Sequence, residues 1–173
     1  MNKFNYFSTE RLDAERLQKD HLEFIHDMHQ NDQIMLYLGG IRSHQQTLAY
    51  MKQNLSHWEK YGYGIWILRE MITGYLVGRG GLRNTTLDGK IEVEVAYGLL
   101  PEFWNKSLAT EFTIKIVQIG LFKMGFSSLV SLINPDNLAS QAVMKKSGFE
   151  LERETIYNNE LHLLFRHRNK QFL

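Results

Sequence analysis

Cysteine is absent from this chain, and proline occurs only twice. The absence of cysteine excludes disulfide bonds, thiolate metal ligands and a cysteine nucleophile. A long apolar run is also missing, because Lys115, Gln118 and Lys123 interrupt the most apolar stretch, residues 114–124. This pattern predicts no membrane-spanning helix, and the opening MNKFNYFSTE lacks the continuous apolar segment of a signal peptide. We therefore expect a soluble, cytoplasmic protein that has no membrane partner.

An excess of charge of one sign is lacking as well. The 20 Lys and Arg residues nearly balance the 19 Asp and Glu residues, and both kinds are spread along the chain. Domains that bind nucleic acid usually concentrate Lys and Arg in one patch or stripe, so we predict no nucleic-acid partner. No internal repeat, low-complexity tract or linker divides the 173 residues, which predicts a single domain over residues 1–173.

Two hydrophobic periodicities run through the chain. Alternation of apolar and polar residues predicts strands, and apolar residues three or four positions apart predict helices. The order of these segments indicates an α+β fold with a mostly antiparallel sheet of about seven strands and about four helices. The predicted helices cover residues 20–29, 44–60, 107–124 and 138–147, and the predicted strands cover residues 11–17, 64–69, 75–83, 91–100, 128–133, 149–155 and 161–167.

Local signals refine some of these segments. Asp20 with Glu23, and Ser43 with Gln46, match capping boxes at the starts of the first two helices. Glycines inside a strand usually mark a bulge or a close approach of two backbones. The third predicted strand contains three of them, Gly78, Gly80 and Gly81.

The stretch from residue 91 to residue 111 is the most informative part of the chain. Its first ten residues predict a strand in which Glu92 and Glu94 share one face. Pro101 ends this strand, and a helix follows from about Ser107. The first turn of a helix has N–H groups without intrahelical partners and carries partial positive charge, so it favours a phosphate. The amides available for this belong to Ser107, Leu108, Ala109 and Thr110.

Several motifs in a fixed order carry a resemblance to a known family. They are Thr9-Glu10-Arg11-Leu12, VEVAYGLLPEFW at 93–104, LATE at 108–111, NPDNLAS at 134–140 and KKSGFELE at 145–152. Together they resemble the GNAT superfamily of acyl-CoA-dependent N-acetyltransferases, in particular its ribosomal-protein N-acetyltransferase branch. The motifs extend over nearly the whole chain.

The resemblance implies a GNAT-like mixed sheet that splays at its central strand, with acetyl-CoA as cosubstrate in the splay and an amine as acceptor. It implies that backbone groups of Leu99 and Leu100 contact the pantetheine, that Asn137 contacts the cofactor arm, and that Ser140 lies near the sulfur. The pyrophosphate would lie on the loop and helix start formed by Asn105, Lys106, Ser107, Leu108, Ala109 and Thr110.

The chain departs from the family pattern in two places. The usual loop sequence is Trp-Gly-Lys-Gly, whereas residues 104–107 are Trp-Asn-Lys-Ser. Glycine adopts positive φ freely and lets a phosphate approach the backbone closely, and Asn tolerates positive φ better than most residues. Met144 stands where many relatives carry a tyrosine thought to protonate the leaving thiolate. This second departure argues against tyrosine acid catalysis and not against acetyl transfer.

Acetyl transfer requires a neutral amine, and amino groups are partly or almost wholly protonated at neutral pH. We predict that Glu94 removes the proton, directly or through water. Glu92 is the second choice, as a solvated or substrate-orienting group. The alternative is that Glu94 only forms an ion pair with Arg79 or Arg83 across the sheet.

Three further roles are open from the sequence. Ser140 is predicted to donate a hydrogen bond to the thiolate or the carbonyl, with helix capping as the alternative, and Asn137 has the same alternative. His26 and His29 lie one helical turn apart without a further ligand at a suitable spacing, so no metal site is predicted.

The acceptor is the least defined part of the prediction. It is either a protein N-terminus or a small-molecule amine, because its pocket would be built from poorly patterned segments, residues 28–42 and 155–162. The rival function is a catalytically inactive module that binds CoA or a partner, which the replaced loop glycines support. A homodimer formed through the terminal hairpin or an exposed strand edge is also left open.

Overall fold

A computed structural model describes residues 4–170 of the chain. The strands are β1 (Tyr6–Ser8), β2 (Leu12–Arg16), β3 (Ile65–Glu70), β4 (Leu76–Leu87), β5 (Lys90–Leu99), β6 (Ser128–Ile133), β7 (Glu150–Tyr157) and β8 (Glu160–Arg168). The helices are α1 (Leu22–Gln30), α2 (Asp32–Met35), α3 (His44–Tyr61), α4 (Leu108–Val117) and α5 (Leu138–Lys146). A π-helical segment, Gln118–Lys123, continues α4.

The eight strands are hydrogen-bonded in the order β1-β2-β3-β4-β5-β6-β8-β7. The β5–β6 pair is parallel, and the pairs β1–β2, β2–β3, β3–β4, β6–β8 and β7–β8 are antiparallel. The predicted α+β fold with a mostly antiparallel sheet is confirmed. The additional elements are β1 and α2, which are three and four residues long and therefore too short to show a periodicity. None of the helices within residues 4–170 combines the length and apolar character needed to span a bilayer.

The start of the first helix differs from its prediction. A 3₁₀ turn, Lys19–His21, precedes α1, and its N-cap is Gln18 instead of Asp20. The Gln18 backbone N–H donates to His21 Nδ1 over 3.0 Å, while the Gln18 side chain accepts from the His21 N–H. The prediction was wrong because Gln and His here form the reciprocal bonds that a capping box normally makes with Asp or Ser and Glu. The second capping box, Ser43 with Gln46, is confirmed.

The described part of the chain forms two compact units. Unit 1 contains the described residues up to Gly81 together with Tyr97–Leu108, and unit 2 contains Leu82–Ala96 together with the described residues from Ala109 onward. Strands β4 and β5 each contribute to both units. The single domain expected from the sequence therefore stays a prediction.

In unit 1, apolar residues of α1 and α3 pack against β3. The first buried cluster consists of Leu17, Ile25, Met51, Ile65 and Ile67. A second cluster joins α1 to α2 through Met28, Ile34 and Met35. Full burial of one such side chain contributes about 1.5–3 kcal/mol, so the two clusters stabilise this unit.

In unit 2, α4 places its apolar side on the core, and Phe112 and Ile116 are fully buried. Gly120 in the π-helical segment leaves space for a neighbouring strand, because a Cβ there would lie 3.0 Å from the Leu129 side chain. On β4, β6 and β8, the buried residues Leu87, Val130 and Leu164 form a further cluster.

Glycine at position 78 allows β4 and β5 to lie unusually close in unit 1. A Cβ at Gly78 would lie 2.3 Å from the Gly98 carbonyl oxygen and 2.8 Å from Leu99 Cα. At Gly81, a Cβ would lie 2.1 Å from the Gly64 carbonyl oxygen. The close approach predicted from these glycines is confirmed at both positions. The atoms that exclude a side chain are backbone atoms, which cannot rotate away.

We expect Gly78→Ala to lower the free energy of unfolding by about 2 kcal/mol or more, because overpacking against backbone forces the strands apart. Gly74→Ala is the matched control, since Gly74 also has positive φ but nothing lies within 4 Å of a Cβ built there. Its cost should be about 1 kcal/mol of backbone strain alone. Denaturant unfolding measures both variants, and equal losses would contradict the close approach.

Candidate active site

The loop between β5 and α4 is fixed by two hydrogen bonds within unit 1. The Trp104 indole N–H donates to the Leu99 carbonyl over 2.8 Å. The Arg11 guanidinium donates to the Lys106 carbonyl over 3.0 Å. Both bonds use carbonyl groups of the chain, so they hold the loop without using its backbone N–H groups. The anchoring role of Arg11 was not predicted, because nothing local in the sequence connects it to a loop almost a hundred positions away.

The backbone of this loop has the conformation that glycine would give it. Asn105 and Ser107 have φ values of 59° and 60°, and they are the positions at which the family pattern has glycine. Lys106, which lies between them, does not have a positive φ, so the sign of φ alternates along the loop. Alternation of this kind turns successive N–H groups toward one concave side, where they bind anions. Asn105 and Ser107 therefore both have the positive φ that glycine adopts freely.

Helix α4 begins directly after the loop, at the buried residue Leu108. Ala109 and Thr110 follow in its first turn and are half-buried, whereas the side chains of Asn105, Lys106 and Ser107 are exposed. The N–H groups of a first helical turn have no intrahelical acceptor and carry partial positive charge. Binding of the pyrophosphate by residues 105–110 stays a prediction.

The backbone of Leu99 and Leu100 is largely occupied inside unit 1. The Leu100 N–H donates to the Val77 carbonyl over 2.8 Å, and its carbonyl accepts from the Phe103 N–H over 3.0 Å. The Leu99 carbonyl already accepts from the Trp104 indole. Each carbonyl oxygen keeps a second lone pair for a ligand. Contact of these residues with pantetheine stays a prediction.

Glu94 lies in unit 2 and forms an ion pair. Its side chain is 4% exposed and accepts two hydrogen bonds from Arg83, at 2.8 Å from Nε to Oε2 and 3.2 Å from Nη2 to Oε1. The pair that the sequence offered as an alternative is therefore present, with Arg83 and not with Arg79. Glu94 is also the β5 residue that bridges to β6, at Val130. Its role as a base stays a prediction.

Glu92, the second predicted carboxylate, is half-buried and forms an ion pair. Both of its oxygens accept from Arg166 over 3.0 Å. Arg166 also donates to Glu152, and its hydrogen bond holds the pKa of the Glu152 carboxyl below the usual value. Glu92 thus belongs to a network that connects β5, β7 and β8, and a substrate-orienting role for it stays a prediction.

Asn137 and Ser140 lie at the start of α5 in unit 2. The Asn137 side-chain oxygen accepts from the Ser140 backbone N–H over 3.0 Å, so Asn137 caps this helix. Ser140 lies in the first turn and is half-buried. Met144 is fully buried on the same helix and forms part of the core. The cap is observed, while contact of Asn137 and Ser140 with the cosubstrate stays a prediction.

A group of polar residues in unit 1 was not predicted, and we call it the basic cluster: His29, Arg42, Thr47, Tyr50 and Arg79. His29 Nδ1 lies 2.9 Å from Thr47 Oγ1, and Arg42 Nη1 lies 3.4 Å from His29 Nε2. The guanidinium groups of Arg42 and Arg79 lie 5.2 and 5.4 Å from the centre of the Tyr50 ring. The members of the basic cluster come from α1, α3, β4 and the segment before α3. No local sequence motif therefore predicts the cluster.

Histidine 29 is neutral in this cluster. Burial, followed by the charges of Arg42, Arg79 and His26, lowers the pKa of His29 from 6.5 to about 3. Since Arg42 donates to Nε2, the Nδ1 atom carries the proton and donates to Thr47. Within residues 4–170, no set of three or more His, Asp or Glu side chains is placed to hold a metal ion.

The low pKa of His29 predicts a dependence of stability on pH. Between about pH 6.5 and pH 3, the unfolded chain binds a proton at His29 that the folded protein does not bind. The melting temperature should therefore fall as the pH drops below about 6.5. His29→Gln should flatten this dependence, whereas His44→Gln, at an exposed histidine, should not. Melting curves from pH 4 to pH 8 that are parallel for the natural protein and His29→Gln would contradict the buried neutral state.

Known proteins that are similar to this chain in sequence or fold include acetyltransferases. The family model described as an acetyltransferase (GNAT) domain matches residues 11–150. An N-acetyltransferase of Bacillus subtilis, YoaA, is 25% identical over 161 residues, which cover 90% of each chain. The structure of an acetyltransferase from Agrobacterium tumefaciens superposes with a TM-score of 0.84 at 21% identity, covering 94% of both chains.

One further solved structure contains the expected ligand. RimL, a ribosomal alpha-N-protein acetyltransferase in complex with coenzyme A, superposes with a TM-score of 0.76 at 16% identity, covering 94% of this chain and 97% of RimL. At an identity this low, the superposition supports the fold alone. The family model, which matches most of the chain, supports the class of enzyme. The chain therefore belongs to the GNAT family of acetyltransferases, enzymes that use acetyl-CoA as cosubstrate.

Proposed function

We propose that this protein transfers the acetyl group of acetyl-CoA to a primary amine, with Glu94 as the base. The acceptor is the amino group of a protein N-terminus, as the name of RimL suggests for that relative, or of a small molecule. The loop and helix start at residues 105–110 hold the pyrophosphate. A cytoplasmic location and a homodimer through the hairpin β7–β8 or an exposed strand edge remain predictions.

The observation that carries this proposal is the positive φ of both Asn105 and Ser107. A non-glycine residue with positive φ costs roughly 1–2 kcal/mol, although Asn costs less than most. Asn105 and Ser107 lie two positions apart. In a loop that binds no ligand, no binding energy would offset the conformational cost of both residues. Two strained positions that preserve an anion-binding backbone therefore support retained binding of the cosubstrate.

The reaction requires a balanced movement of two protons. The amine nitrogen attacks the thioester carbonyl, a C–N bond forms, and the C–S bond breaks to release the CoA thiolate. Glu94 accepts the proton that the amine loses, directly or through water, on a lone pair that its bonds to Arg83 leave available. The thiolate takes a proton from solvent to leave as a thiol, and Glu94 releases its proton to solvent. Ser140 is the proposed hydrogen-bond donor near the sulfur, and the buried Met144 has no proton to give.

A second candidate function is favoured by the Arg83–Glu94 ion pair. If that pair only stabilises the fold, the chain binds CoA and has no base at this position. The protein would then act as a CoA-binding module without transferase activity. The assay below separates this candidate from the enzyme.

The test is release of free CoA thiol from acetyl-CoA in the presence of a panel of primary amines. The panel contains amino acids, peptides with free N-termini, diamines and aminosugars. We expect thiol release that depends on both the protein and one class of amine, with a mass increase of one acetyl group on that amine. Binding of acetyl-CoA without release for any class would favour the second candidate.

A further inference from the structure

The basic cluster in unit 1 contains a charge without a counterion. Arg79 is only 5% exposed, and none of the ion pairs among residues 4–170 includes it. Its described contact is the face of the Tyr50 ring. Burial of an unpaired guanidinium is costly, and a cation–π contact offsets only about 0.5–2 kcal/mol of that cost.

The same cluster contains a buried hydroxyl group without a partner. The Tyr50 side-chain oxygen has no hydrogen bond within the described part of the chain. Buried hydroxyl groups are normally paired, so one that is not suggests a missing ligand. The Tyr50 hydroxyl thus lacks a hydrogen-bond partner, and the neighbouring Arg79 lacks an ion-pair partner. An anionic oxygen could accept hydrogen bonds from both groups.

The charged groups that lower the pKa of His29, after burial, are Arg42, Arg79 and His26. Because His29 is neutral, it adds no full charge beside the two guanidinium groups. A guanidinium group can make a forked contact with a carboxylate, and Arg79 is the one of the two for which the described residues include no ion pair.

The cluster lies beside the strand that carries the candidate cosubstrate residues. Arg42 Nη2 donates to the Leu38 carbonyl over 3.2 Å. The Leu38 side chain lies 3.2 Å from the position of a Cβ on Gly98, the residue before Leu99. Arg79 directly follows Gly78, where a Cβ would lie 2.3 Å from the Gly98 carbonyl oxygen and 2.8 Å from Leu99 Cα. Arg42 thus contacts a residue that lies beside the end of β5, and Arg79 directly follows another such residue in the chain.

We propose that the basic cluster binds a carboxylate of the acceptor, so that the substrate is an amine that also carries a carboxylate. Arg79 and Arg42 hold the carboxylate oxygens, and the Tyr50 hydroxyl donates the remaining hydrogen bond. Polyamines and aminosugars are disfavoured, since the buried Arg79 cation repels them. This inference rests on the proposed acetyl transfer and narrows its acceptor.

The experiment compares matched pairs of acceptors that differ only in one carboxylate. The first arm uses free amino acids and their α-carboxamides. The second arm uses peptides with a free N-terminus that contain Asp or Asn at the second position. We expect the carboxylate member to have at least about tenfold higher kcat/KM in one arm, and that arm identifies the source of the carboxylate.

Variants assign the preference to the cluster. Arg79→Gln should reduce the ratio of kcat/KM values within the preferred pair to about one, mainly through KM, and Arg79→Lys should restore part of it. Arg69→Gln is the matched control, because Arg69 is an exposed arginine of the same unit that pairs with Glu15. Arg79→Gln should also melt at the same or a higher temperature than the natural protein, since it removes an uncompensated charge.

Two measurements separate failure of this inference from failure of the proposed function. Equal kcat/KM values within both pairs, in a protein that acetylates amines, would overturn the inference and leave the transferase intact. If no amine is acetylated, titration with glutamate or succinate still tests the cluster. Carboxylate binding that Arg79→Gln abolishes would support the anion site, and its absence would overturn it. A lower melting temperature for Arg79→Gln with an unchanged carboxylate preference would show that Arg79 is structural.

Discussion

Replacing Glu94 with glutamine is expected to lower kcat/KM for acetyl transfer at neutral pH by about 10²–10⁴-fold, the usual contribution of a general base. Glutamine has nearly the same shape but cannot accept the proton of the attacking amine. The loss should shrink as the pH rises, because the amine then loses its proton to solvent. Recovery should occur near pH 8 for an α-amino acceptor and only near pH 10 for a lysine side chain.

The Arg83–Glu94 ion pair provides the matched control for this prediction. Arg83→Gln removes the same ion pair but keeps the carboxylate. If Glu94 is the base, Arg83→Gln keeps most of the activity, and only Glu94→Gln shows the recovery at high pH. If the pair is merely structural, the two variants should lose similar stability and similar activity. Full transfer by Glu94→Gln across the pH range would remove Glu94 from the mechanism.

Replacing Ser107 with proline is expected to weaken acetyl-CoA binding by at least about 100-fold, or about 2.7 kcal/mol. Proline fixes φ near −65°, whereas Ser107 has a φ of 60°. The substitution also removes one N–H group of the anion-binding loop. Calorimetry measures the change in affinity, and thermal unfolding shows whether the rest of the protein remains folded.

Ser107→Gly is the control at the same position. Glycine adopts this φ without strain and keeps the N–H group, so binding should be as tight as in the natural protein or tighter. The double variant Asn105→Gly/Ser107→Gly should behave in the same way. Unchanged affinity in Ser107→Pro would mean that the loop does not hold the pyrophosphate.

The strand, loop and helix of the candidate site could be predicted from local sequence. Pro101 ends β5, and the apolar spacing after Ser107 places α4, because both signals act over a few residues. The Trp-Asn-Lys-Ser loop was recognised by its departure from a glycine pattern. Its conformation was not predictable from that departure, since Asn and Ser adopt positive φ only when surrounding contacts, here those of Trp104 and Arg11, hold them there.

Features that depend on residues far apart in the chain could not be predicted. The choice of Arg83 over Arg79 as the partner of Glu94 depends on the register of β4 and β5. The pairing of Glu92 with Arg166 joins two residues that are more than seventy positions apart. The basic cluster draws one or two residues from each of several elements, so no periodicity or spacing indicates it.

The central claim is that this chain uses acetyl-CoA although both loop glycines are replaced. The most direct test is a calorimetric titration of the natural protein with acetyl-CoA, beside acetyl-pantetheine, which lacks the pyrophosphate. We predict saturable binding of one acetyl-CoA per chain and much weaker binding of acetyl-pantetheine. No binding by the natural protein, together with binding by Asn105→Gly/Ser107→Gly, would show that the chain keeps the fold but has lost its cosubstrate, which would contradict the account.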